Sequence, residues 1–349
     1  MCIRLVAILL IAGAGCTSSS TRPELPTVLF PPPPDDPRLQ LLGSYANSLD
    51  VEETSSFERT MAGGEQIRLA VERAHGVGWF DGRIYVCDAG SSALAVFDLK
   101  LKEMRLVEPD RRGLFKKPHD IAISSDGWKY VTDTIQRKVL VFDAEDRYQG
   151  SFGDPEKWRP VGIATAGKLL HVTDTANHCL VVLDRTTGAE LHRFGSLGGD
   201  KGMFYYPISV AVGPNGDLYV ADSFNFRVQR LAPDGSFVQQ YGSLGRQLGN
   251  FARPKGIAVD GESRVYALDG AFENCQIFDE EGKLLLFFGA PGNGPGAVNM
   301  PSNLCIDYAA ADAFRDRVIP GYDLEYVIFL TCQAGPHRVN VYGLLRKRP

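Results

Sequence analysis

The sequence predicts an all-β chain folded as a six-bladed β-propeller, and three observations predict it. An aspartate closes a short apolar strand five times: YVCD at Asp88, YVTD at Asp133, HVTD at Asp174, YVAD at Asp222 and YALD at Asp269. Successive aspartates lie 45, 41, 48 and 47 residues apart. That period belongs to an array of small sheets rather than to the two domains that length alone would suggest. Each period divides into four short runs of apolar, β-branched and aromatic residues bounded by Gly, Pro, Asn and Asp. A Gly or Pro roughly every ten residues leaves no window for an ordinary helix. Four-stranded units at this spacing are propeller blades.

The first element is an export signal. Residues 1–15 carry one positive charge, at Arg4, then an apolar run from Leu5 to Ala12 and small residues before Cys16. The run is too short to span a bilayer as a helix. Cys16 followed by TSSST resembles the lipobox of bacterial lipoproteins, which implies a diacylated Cys16; Gly13 departs from the Leu preferred there. Residues 16–37, with PELP and PPPPDD, are Pro-rich and acidic and are expected to form an extended tether. Residues 38–349 then form a single propeller. Residues 46–73 cross to its first blade, with a short helix around 51–61.

Six inner strands can be placed, near Val77, Ile121, Ile163, Val210, Ile257 and Leu304. The fourth period is the clearest: strands at 208–212, 218–221, 228–231 and 237–241, with PNGD and PDG turns between them. This unit, with GSLGGDKGMFYYP before it and YVADSFNFRV within it, resembles an NHL repeat, and the fifth opens similarly with GSLGRQLGNFARP. The resemblance runs from about Ala74 to Leu344 and implies a six-bladed NHL propeller. It implies little about function, because such propellers serve as enzymes, RNA binders, sensors and scaffolds.

The sixth unit is irregular. Its first hairpin is swollen by residues 307–323, Cys332 stands where the other blades have aspartate, and the chain ends after a third strand at 339–344. A propeller left open exposes unpaired strand edges. The stretch 38–44 (RLQLLGS) resembles the outer strands SFVQQYG and KLLLFFG. It is therefore expected to supply the missing outer strand, pairing antiparallel with 339–344.

Seven cysteines include Cys2 and Cys16 in the signal and anchor; the other five cannot all pair. Hairpin register puts Cys305 opposite Phe329, with Cys332 about 10 Å away at ~3.4 Å per residue, beyond the ~7 Å reach of a relaxed disulfide. No disulfide is expected. The formal charge of −5 argues against a nucleic-acid partner.

One face of the ring should collect the starts of the inner strands and the ends of the second strands. The repeated Asp88, Asp133, Asp174, Asp222 and Asp269, with Asn177, Asn225 and Arg227, are read as structural. The Asp accepts hydrogen bonds from the following turn, and the Arg pairs with a carboxylate or carbonyl of the adjacent blade. Residues that break the repeat carry more functional information. His75 and His119 occupy equivalent positions in neighbouring blades, in a ring completed by Val161, Ile208, Lys255 and Ser302. Histidines near the channel mouth hold zinc in the amidating lyases built on this fold, but catalytic zinc wants three protein ligands. Asp120 could orient the His119 imidazole.

Tyr205, Tyr206 and Phe224 give the same face an aromatic side, and Arg111 and Arg112 a basic one. These residue types mark partner contacts. The function expected is therefore an exported, lipid-anchored module that binds or scaffolds a protein partner in the cell envelope, without a cofactor. The alternative is a metal-dependent lyase or lactonase-like enzyme, with zinc or calcium at the channel.

Overall fold

The structure, a computed structural model, describes residues 26–52, 66–107 and 113–349. The expected export signal, Cys16, Arg111, Arg112 and most of the expected helix at 51–61 lie outside the described residues.

Six antiparallel sheets form the ring. The inner strands are Ala74–Phe80, Pro118–Ile123, Pro160–Ala166, Pro207–Val212, Pro254–Val259 and Pro301–Asp307. They stand side by side about the axis, and the last packs against the first. The second strands, such as Arg83–Asp88 and Leu218–Asp222, are buried almost throughout because they lie between neighbouring blades. The outer strands Phe237–Tyr241 and Leu284–Phe288 alternate between burial and exposure, as a strand with one wet face must. The apolar core therefore lies between blades, in clusters that each draw residues from two or more of them.

The loops entering blades four and five share one device. Gly195 and Gly242 have φ of +84° and +66°, and a Cβ on either would lie 2.4 and 2.5 Å from the rings of Phe204 and Phe251 respectively. Both rings are fully buried. Glycine is required twice over, by backbone conformation and by the aromatic plug beneath it.

Blade six is built from both ends of the chain. Leu39–Tyr45 pairs antiparallel with Val339–Lys347, with Leu39 opposite Leu344 and Tyr45 opposite Val339. The ring is thus closed by an N-terminal strand, antiparallel as expected and one residue further along than 38–44. Cys305 pairs with Phe329, also as expected. The swollen hairpin supports the closure. Gln40 Nε2 donates to the Arg317 carbonyl at 2.7 Å, and the Ile319 N–H donates to Gln40 Oε1 at 3.0 Å. Its short helix, α1 (Ala311–Phe314), sets Phe314 against Trp79 of blade one, with ring centroids 6.0 Å apart.

The tether expectation needs correction. Leu29–Phe30 adds a fifth strand outside Leu39–Tyr45, and the Phe30 ring lies 5.8 Å from that of Phe288 and 6.1 Å from that of Tyr342. The apolar Val28, Leu29 and Phe30 outweigh the proline-rich context and pack.

Because Leu41 is buried in the closing strand, Leu41→Ala should cost about 2–5 kcal/mol in chemical denaturation. Deleting Leu39–Tyr45 should abolish cooperative unfolding; a deletion that keeps a sharp transition would contradict this account of closure.

Candidate functional site

The face that receives the inner-strand starts is organised by the five aspartates, each fully buried. Asp133 accepts from the N–H groups of Lys116 and Lys117 on the incoming loop and of Ile135 and Gln136 in the following turn. Asp269 does the same for Ala252, Arg253, Ala271 and Phe272. Asp88 and Asp174 repeat the pattern through Arg73 and Gly90, and through Arg159 and Ala176. Each carboxylate therefore pins the loop before a blade to the turn within that blade. Asn177 Nδ2 and Asn225 Nδ2 donate to Asp174 and Asp222 and to loop carbonyls.

Arg227 pairs with Asp222 of its own blade at 2.9 Å and donates to the Asp200 and Met203 carbonyls of the loop entering that blade. The pairing expected across to the adjacent blade is thus made within one blade.

Every inner strand slips register just after its first residue. Such bulges re-aim side chains. At the third position the blades alternate glycine with a polar residue: Gly76, Asp120, Gly162, Ser209, Gly256, Asn303. A Cβ on Gly76, Gly162 or Gly256 would lie 2.5, 2.6 and 2.5 Å from the backbone of Asp120, Ser209 and Asn303 respectively. Across Gly76, Asn303 Nδ2 reaches Asp120 Oδ1 at 2.6 Å and joins blade six to blade two. Asp120 also accepts from the Ile121 N–H at 2.8 Å and the Ile163 N–H at 2.9 Å. It therefore does not orient His119, as its place in sequence suggested; its partners are the ring itself. Asp120 and Asn303 sit at one end of a channel cavity of about 240 Å³ whose walls are mainly Val, Ile, Ala and Leu.

His75 and His119 do meet at the mouth, with ring centroids 4.7 Å apart. His75 Nδ1 lies 3.0 Å from Ser302 Oγ, to which Gln333 Nε2 donates at 3.2 Å. The Ser302 hydroxyl, with two acceptor lone pairs and one proton, can serve Gln333 and either tautomer of His75 at once. His119 Nδ1 is buried with no partner among the described residues. Burial lowers the His75 pKa to about 4, helped by the charges of Lys255, Lys117 and Arg73. Burial, then His75 and Lys255, hold His119 well below the usual histidine range. Both imidazoles are neutral at pH 7. Among the described residues no group of three His, Cys, Asp or Glu side chains is arranged to hold a metal.

Tyr205, Tyr206 and Phe224 also come together. Phe224 stacks on Tyr206 at 4.9 Å and meets Tyr205 edge-on at 5.2 Å. Tyr205 is 45% exposed and Phe224 49%. Tyr206 takes a left-handed backbone (φ +62°), and its N–H donates to His178 Nδ1 at 3.0 Å.

Sequence reasoning missed Lys129, which is wholly buried between blades one and two on the opposite side of the ring. Its ammonium lies 2.6 Å from Asp146 Oδ1, donates to the Asp143 and Ala144 carbonyls, and sits 5.0 Å from the centre of the Tyr85 ring. A lysine opening an apolar strand was the available signal.

A family model of the NHL repeat matches residues 204–231, the loop and first three strands of blade four. The chain is a six-bladed propeller that carries an NHL repeat. Among solved structures this NHL-repeat propeller is similar to a gluconolactonase from Xanthomonas campestris, at 16% identity and a TM-score of 0.58, covering 93% of this chain and 99% of that one. It is similar to a catalytically inactive virginiamycin B lyase from Staphylococcus aureus with quinupristin, at 15% identity and a TM-score of 0.54, covering 78% and 95%. A Bacteroides thetaiotaomicron protein of unknown function aligns at 15% identity and a TM-score of 0.59, covering 88% and 76%. At these identities the likeness is one of fold.

Burial raises the Asp120 carboxyl to about 7 from 3.8, against the pull of its three donors. A carboxyl that binds its proton more tightly when folded favours the folded state at low pH and loses that advantage as pH rises through this window. The wild-type chain should therefore lose stability between about pH 4 and pH 7 through this group, and Asp120→Asn should remove that component. Identical pH profiles for the two in thermal unfolding would refute the assignment.

Proposed function

We propose that this propeller is an exported, lipid-anchored binding module that presents its loop face to a protein partner in the cell envelope. The observation that carries the reading is the exposed Tyr205–Tyr206–Phe224 cluster. Large aromatic side chains left partly in water and stacked on one another outside the core are the composition of contact sites. Further exposed apolar residues crowd the loops of that face, among them Leu114, Ile135, Leu197, Leu244 and Met300. Several exposed apolar side chains on one face of a globular chain mark an interaction surface. The export signal and Cys16 supply the address, and two or more acyl chains would give stable attachment where one does not.

A second reading, a metal-dependent lyase or lactonase-like enzyme, rests on the contact between His75 and His119 at the channel mouth. Stoichiometric zinc or calcium in the purified chain would favour it over partner binding.

Replacing Tyr205 and Tyr206 together by alanine should weaken capture of the envelope partner at least tenfold in crosslinking and pull-down. Stability should change by no more than about 1 kcal/mol, as for surface sites in general. Unchanged capture would remove the loop face from the reading. Cys16→Ser should move the protein from the membrane fraction to the soluble one; a variant that stays with the membrane, or a mature N-terminus other than Cys16, would count against lipid anchoring.

A further inference from the structure

The repeat sets six equivalent residues immediately before the inner strands: Arg73, Lys117, Arg159, Tyr206, Arg253 and Met300. Four are cationic, in a chain whose formal charge is −5. The strand-end aspartates hold the backbone N–H groups of all four cationic residues and so fix where their side chains depart. Those side chains are exposed, and none has a carboxylate partner among the described residues.

One layer deeper stands Lys255, at the ring position of His75, His119 and Ser302. It is half-buried and likewise has no carboxylate partner among the described residues. Burial, with the neighbouring Arg253 charge, lowers its pKa to about 8. The fully buried Lys129 is treated differently: it has a carboxylate, two carbonyls and an aromatic face around its ammonium. Removing a charge from water without a counter-charge is costly, and structural lysines are paired for that reason. Lys255 has no such partner among the described residues and stands beside another cation, Arg253, on the channel-mouth face.

The acids of this face among the described residues are already engaged. Asp88, Asp133, Asp174 and Asp269 are occupied by backbone N–H groups, Asp120 by its three donors, and Glu273 by the Met300 N–H. An oxyanion at His75 would select the tautomer protonated at Nε2, with Nδ1 accepting from the Ser302 hydroxyl. The same cations that converge here oppose a divalent metal ion.

We propose that the channel mouth is a binding site for a small oxyanion, a carboxylate or a phosphate, held by the Lys255 ammonium and the His75 ring and drawn in by Arg73, Lys117 and Arg253. The ligand supplies the counter-charge that the fold withholds from Lys255. Clefts lined by one sign of charge concentrate the opposite ion, and an ionised acceptor makes each donated hydrogen bond stronger. The site adjoins the aromatic cluster, since Ser223 Oγ beside Phe224 donates to the Pro254 carbonyl beside Lys255, but it uses none of the three aromatic side chains and does not depend on the partner-binding reading.

The test is calorimetric titration of the purified full chain with inorganic phosphate and, separately, with succinate, at ionic strength fixed with chloride. Saturable one-site binding is expected for at least one probe, weakened at least tenfold by Lys255→Met and unchanged by Lys283→Met in the exposed turn before an outer strand. Phosphate alone binding assigns a phosphorylated ligand; succinate alone assigns a carboxylate. Lysine acylation of the wild-type chain, read by mass spectrometry, supplies the check should Lys255→Met fail to fold: the bound probe must shield Lys255 and not Lys283. No saturable binding of either probe, equal affinity in a folded Lys255→Met, or a Lys255 left unshielded overturns the proposal. Tyr205→Ala leaves anion binding intact, so this site and the partner face stand or fall separately.

Discussion

Everything in this molecule depends on pairing Leu39–Tyr45 with Val339–Lys347. A ring of sheets has no internal reason to stop, and an unclosed one exposes two sheet edges and the apolar faces of its terminal blades. Here the N-terminal and C-terminal strands of the ring meet in one sheet, so that separating them must break a strand ladder as well as side-chain contacts. The closing strand is itself clamped. Gln40 is bound on both sides of its amide by the insertion in the last blade, and Arg317 Nη1 donates to the Leu42 carbonyl at 3.1 Å. The insertion also carries Phe314 across the seam to Trp79, so the departure from the repeat lies where the ring is joined.

Inside the ring, backbone satisfaction is the governing constraint. Each inner strand bulges as it begins, which frees N–H groups in the most crowded part of the fold, and buried N–H groups must find partners. Two solutions recur around the axis. Thr132, Thr173 and Thr331 hydroxyls take the N–H groups of Asp120, Gly162 and Asn303. Asp120 and Ser209 take N–H groups of the blades that follow them, Ile163 and Ile257. Glycines between them leave the room. A side chain at Gly76 would collide with the Asp120 backbone and part the bridge to Asn303.

Much of this was legible in the sequence, and the limit has a physical form. The period, the blade count, the closing strand and the pairing of Cys305 with Phe329 follow from local pattern, because strand and turn chemistry is local. The strand Leu29–Phe30 was not legible, since two apolar residues among prolines look like linker until the Phe288 and Tyr342 rings are there to receive them. Asp120 was misread for a related reason. Adjacency to His119 is a fact of sequence, whereas its bonds to Ile163 and Asn303 exist only once blades two, three and six share an axis. The cationic residues before the inner strands were visible one at a time. Only the closed ring turns them into a common feature.

That last point separates architecture from function in a repeat protein. The strand-end aspartates obey the repeat and spend their charge on backbone N–H groups, so they have little left to offer a ligand. Among the described residues, the groups free to act are those that break the repeat: two neutral imidazoles in contact, a half-buried lysine without a carboxylate partner, and a cluster of three aromatic rings at the surface. The fold supplies six equivalent places at the channel mouth, and this chain fills them with His75, His119, Val161, Ile208, Lys255 and Ser302. Two apolar residues on one side and four polar ones on the other make the mouth lopsided. Symmetric scaffolding therefore presents an asymmetric opening, and a ligand meeting it has one orientation in which its charge faces Lys255.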